Sequence, residues 1–198
     1  MPRWVHGYVH VVDRVNYRVG RFAMYLLYAM MAVLIWSSVS KITPWPSIWT
    51  LEMAQFVMVA YYMLGGPYSL QLDSNVRMDL LYHRWSPKTR AMVDVVSVFA
   101  LLFYLCVLFY GAVESTAYSL GYFGDAPFTF YYGLAADFVT GGIEGAKSHM
   151  GMIERSPTAW RPVVWPIKLV MCIGVFLMIL QVIAFFFRDL ARVRGEEL

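Results

Sequence analysis

Residues 65–94 read GGPYSLQLDSNVRMDLLYHRWSPKTRAMVD, the one long polar and charge-bearing stretch with extended apolar runs on both sides. Arg77, Arg84, Lys88 and Arg90 lie in it, together with Asp73, Asp79 and Asp94. Residues 53–72 before it and 95–113 after it carry no charge. Runs of that length match the roughly 20 residues, at 1.5 Å rise, that cross about 30 Å of hydrocarbon. The stretch therefore reads as a loop between two membrane spans, and its basic character indicates the side it occupies.

The rest of the composition agrees. The 198 residues are 60% hydrophobic and 15% charged, with mean hydropathy +0.54. A soluble domain carries about a quarter charged residues. A core able to hide this apolar excess would need a longer chain, so the bilayer is the expected solvent. The net charge of +3 is scattered at the margins of apolar runs, and no clustered basic face suggests a nucleic-acid partner. Cys106 and Cys172 each sit inside an apolar run, which suits packing thiols and gives no metal-ligand spacing.

Taken in order, residues 1–21 place Trp4, Val5, Tyr8, Val11, Val12, Val15 and Val19 at helical spacing, with Arg3, His6, His10, Asp13, Arg14 and Arg18 largely opposite. This reads as an amphipathic interfacial helix in the headgroup plane; the alternative is a plain extension of the first span. Residues 22–40 form that span, taken as retained rather than cleaved, because the run exceeds the length of a signal core. A second span is expected over 51–72, a cytoplasmic loop over 73–86, and a third span over 87–120 that starts on Ser86-Pro87. A long periplasmic connection over 121–162, with a short helix or re-entrant piece in it, precedes a fourth span over 163–188 and a tail over 189–198.

Of the sixteen Lys/Arg residues, eleven fall on one side of a four-span arrangement, in the N-terminal segment, the central loop and the tail. The expectation is thus an all-α integral membrane protein with four transmembrane helices and both termini cytoplasmic. No histidine lies inside an expected span, so a haem held between helices is not expected. The polar residues near span ends are Glu52, Gln55, Asp94, Glu114, Lys168 and Gln181, which suit interface anchors or contacts between helices. No catalytic residue, cofactor or metal site is expected. This favours an accessory subunit over an enzyme, with a membrane anchor of a respiratory or redox complex as the other reading and a small exporter as a third.

Three groups of residues carry a resemblance. Trp49 and Glu52 are followed by an apolar run and Gly65-Gly66. Asn75-Val76-Arg77-Met78-Asp79 is followed by Tyr82, Trp85, Ser86 and Pro87. Trp165-Pro166-Ile167-Lys168 leads to Gln181 and Arg188-Asp189. Together they resemble the small membrane subunit, DctQ type, of tripartite ATP-independent periplasmic (TRAP) transporters. Asn75 stands where that family usually has histidine, so no role needing an imidazole carries over.

The resemblance implies a multi-pass protein of the bacterial inner membrane. It implies a large M-type transport subunit as partner, and a periplasmic binding protein that docks transiently and delivers an organic acid. Transport would be sodium-coupled, with the small subunit anchoring the static part of the large one. Read from the residues, Met78, Leu81, Tyr82 and Trp85 share one helical face, with Arg77 and Arg84 off it. That suits either a contact to lipid or the large subunit, or a turn fixed by Arg77 and Asp79.

Overall fold

The computed structural model describes residues 3–72 and 87–194, among which five helices are found. They are α1 (Arg3–Ser40), α2 (Thr50–Gln71), α3 (Pro87–Ser119), α4 (Pro127–His149) and α5 (Trp165–Arg194). Three are long and apolar enough to cross a membrane: α1, the Val96–Ser119 part of α3, and the Trp165–Ala191 part of α5. At 22 residues α2 is long enough as well, about 33 Å. It is less apolar because Glu52, Gln55 and Gln71 and the Gly65-Gly66-Pro67 step interrupt its aliphatic residues. Pro67 does not end the helix, which continues to Gln71.

Helix α5 is central and packs against α1, α2 and α3, while α1 also runs along α2. Close approach depends on glycines. A Cβ added to Gly174 would stand 2.5 Å from the Met63 main-chain oxygen, and one on Gly66 would stand 2.6 Å from Met178 Cε. Gly20 likewise faces the Tyr68 side chain. Small residues at such crossings let helix backbones approach and gain dispersion contacts that lipid cannot supply.

The N-terminal segment differs from its reading as a separate helix in the headgroup plane. Residues 3–40 form one unbroken helix, with no helix end at residue 21. Its apolar stripe, Val5, Val9 and Val12, is buried against Ala184 of α5 instead of being left for the membrane surface. Tyr8 and Trp4 pack edge-on against Phe187, and the Tyr8 hydroxyl donates to the Leu180 carbonyl at 3.1 Å. A protein partner for that stripe removes the reason for the helix to bend into the interface.

The connection after α3 is folded back on itself. Gly121 takes the left-handed conformation (φ 89°) after α3, and Tyr122 N–H donates to Ala117 O at 3.1 Å. Inside α4, Gly142 has φ 63° and ψ −146°, a combination open essentially to glycine alone. Asp137 and His149 would be about 18 Å apart along a straight helix. Their side chains instead meet at 2.7 Å, so α4 doubles back at Gly142. The loop after α4 is strapped to the end of α3 by Glu154 N–H donating to Ser119 O at 3.0 Å.

Candidate functional site

The sequence-predicted residues fall into groups at opposite ends of the bundle. Trp49 immediately precedes α2, where it is half-buried and makes no side-chain cap. Glu52, in the first turn, is only 4% exposed. Its Oε1 accepts a long hydrogen bond from the Ser156 hydroxyl at 3.4 Å, and its Oε2 is buried without a protein donor. A carboxylate is favoured in the first helical turn, where the unpaired N–H groups carry partial positive charge. Gly65 and Gly66 differ: Gly66 faces Met178, whereas a Cβ on Gly65 would meet nothing. Asn75, Arg77, Asp79, Tyr82, Trp85 and Ser86 lie outside the described residues.

Gln181 and Arg188 are brought together by Asp13, which the sequence placed only on the polar side of an interfacial helix, and by Asn16, which it did not single out. Two turns apart, they share one face of α5. Arg188 donates to Asp13 Oδ2, and Gln181 Nε2 donates to Asp13 Oδ1 at 3.1 Å. Gln181 Oε1 accepts from Asn16 Nδ2 at 2.5 Å. Gln71 of α2 donates to the Asp13 main-chain oxygen at 3.2 Å, so three helices meet here. Gln181 is 0% and Asn16 1% exposed. The i, i+3 spacing of Asp13 and Asn16, on the same helix as Val9 and Val12, was the available signal.

Near the other end of α5, Lys168 Nζ donates to Glu154 Oε2 at 2.6 Å and to Ser115 O at 3.2 Å, with its charge 5.8 Å from the centre of the Tyr118 ring. In α4, the Tyr131 hydroxyl donates to Val113 O at 3.2 Å. Burial pushes the Tyr131 phenol up to about 12, with the nearby Cys172 thiol adding to the rise and a Thr116 hydrogen bond opposing it. Among the described residues, the buried polar groups thus mainly join elements of this chain to one another.

Against known protein families, residues 30–132 match the model for tripartite ATP-independent periplasmic transporters, DctQ component. The chain belongs to the DctQ family. The match spans just over half the chain, from the second half of α1 through α2 and α3 into the start of α4. Asp13, Asn16, Gln181 and Arg188 lie outside that match, whereas Gln71 lies within it. No curated protein and no solved structure matches the chain.

Proposed function

We propose that this chain is the small, non-catalytic membrane subunit of a sodium-coupled TRAP carrier for an organic acid. It crosses the bacterial inner membrane four times, with both termini and the 73–86 loop in the cytoplasm. It holds the static part of a large M-type transport subunit, and a periplasmic binding protein delivers substrate to the assembly. The observation that supports a holding role is the Asp13–Gln181–Asn16–Arg188 network. Through buried Asn16 and Gln181, with Asp13, Gln71 and Arg188 beside them, it ties α1, α2 and α5 together. Helices locked in this way suit a static support more than a moving carrier. The Lys/Arg asymmetry supports the orientation, with α2 crossing as the less apolar, protein-packed span.

The test is co-expression with a large M-type membrane subunit, followed by purification and reconstitution into vesicles. The chain should co-purify with that partner and should transport nothing alone, while the pair with a binding protein takes up an organic acid under a sodium gradient. Uptake by this chain alone would overturn the reading. Cysteines placed at residues 3 and 125 should be labelled by impermeant reagents from opposite sides of the membrane.

A further inference from the structure

Glu114 stands exposed on the outer face of α3, five residues before the end of the apolar stretch Val96–Ser119. That is roughly 7.5 Å inside the span at 1.5 Å per residue. Helical side chains lean toward the helix N-terminus, so this one leans deeper into the span rather than out past Ser119. Hydrocarbon offers no hydrogen-bond donor, and ionisable groups at such depth face a protein interior or a partner charge. Glu114 has neither within this chain. Among the described residues no cation pairs with it. Lys168 of α5 comes as near as the Ser115 carbonyl, but its ammonium is held by Glu154.

The surface around Glu114 suits a side chain of opposite charge carried on another helix. Glu114 borders a cleft of about 420 Å³ together with Gly111, Ser115, Tyr118, Tyr122 and Asp125. The Tyr118 ring is half exposed and meets Phe123 edge-on at 5.1 Å, and an aromatic face attracts a cation. A Cβ on Gly111 would meet nothing in this chain, so the backbone there is open to close approach. Toward the middle of the span the same face continues through Tyr110, Val107 and Phe103, all exposed. Their alternating steps of four and three residues follow the seam pattern of a helix that packs along another.

We propose that Glu114 is the anionic half of an intramembrane ion pair, whose arginine or lysine is carried on a membrane helix of the large M-type subunit. The proposal rests on the function given above and names a contact through which the two subunits recognise each other. The charge selects the occupant. An apolar helix or an acyl chain would leave the carboxylate stranded, and lipid ammonium groups stay in the headgroup layer beyond Ser119. A guanidinium could take both carboxylate oxygens while lying against Tyr118.

The test is the affinity of the purified full chain for the large M-type subunit in detergent, with helicity and gel filtration of the free chain as folding controls. Glu114→Lys should weaken binding roughly 30-fold or more, since like charges would then meet at a buried contact. Glu114→Gln should weaken it in the same direction, and decides the matter if the lysine variant does not fold. Asp125→Asn, outside the span, should change affinity less than about five-fold, as an open charge does. A photo-crosslinker at residue 118 should capture a helix of the large subunit, and exchanging charges between Glu114 and the captured cation should restore binding. Unchanged affinity in the Glu114 variants would overturn the proposal. So would a crosslinker that captures only lipid, or an Asp125→Asn effect as large as that of Glu114→Gln. No binding by the wild type would sink the function above and this contact with it, whereas wild-type binding that survives Glu114→Lys would sink the contact alone.

Discussion

The two ends of α5 hold charge in different ways. Near one end, Arg188 meets Asp13, whose carboxylate also takes a hydrogen bond from Gln181 while Gln71 bonds its backbone. Both partners of that ion pair are about one-fifth exposed, at 22% and 20%. Near the other end, Lys168, itself 17% exposed, reaches Glu154, which stands on a loop and is 36% exposed. The first pair fastens helix to helix within a network; the second fastens a loop to a helix end beside solvent. Equal formal chemistry should therefore have unequal weight, because removing one member of an enclosed pair strands the other charge, whereas an open pair is replaced by water.

Asp13→Leu provides the strongest test of that contrast. It strands the Arg188 guanidinium and the Gln181 amide, and should cost about 3 kcal/mol, read as a lower thermal unfolding midpoint in detergent. Adding Arg188→Leu should recover part of the loss. A harmless Asp13→Leu would break the comparison. Next in size, Gly174→Ala drives a methyl against the Met63 carbonyl and should cost about 1–3 kcal/mol, while Gly65→Ala, facing open space, should leave the midpoint unchanged. Lys168→Met should cost about 1 kcal/mol or less, with a loss that shrinks as salt is added.

A pH dependence gives a separate test. The Tyr131 phenol titrates at about 12 in the folded chain, against about 10 unfolded. Below pH 10 both states are protonated and its contribution is complete. Between pH 10 and 12 the unfolded state ionises first, so stability should fall as pH rises through that window. Tyr131→Phe should flatten that part of the profile in chemical denaturation.

The all-helical architecture and the family were legible because long uncharged runs and a few spaced motifs are local signals. Partners were not. Periodicity places Asp13 and Asn16 on a face of α1, but says nothing of Gln181, 165 residues beyond Asn16. The same limit hid Gly20 and Gly174, since a lone glycine in a helix looks identical whether a neighbour touches it or not. Gln181 was read as an interface anchor or a contact between helices and Asp13 as part of the polar side of an interfacial helix, so nothing in the sequence paired the two. The reversal at Gly142 was not legible, because glycines at 141, 142 and 145 each permit a break without saying which one takes it. The family match itself stops at residue 132 and could not supply α5.

At 38 residues without a break, α1 measures about 57 Å, nearly twice the thickness of the hydrocarbon layer. A shaft of that reach has no joint at which to absorb a twist. If its apolar part lies in a membrane, as length and composition allow, turning its polar tip would turn the embedded segment with it.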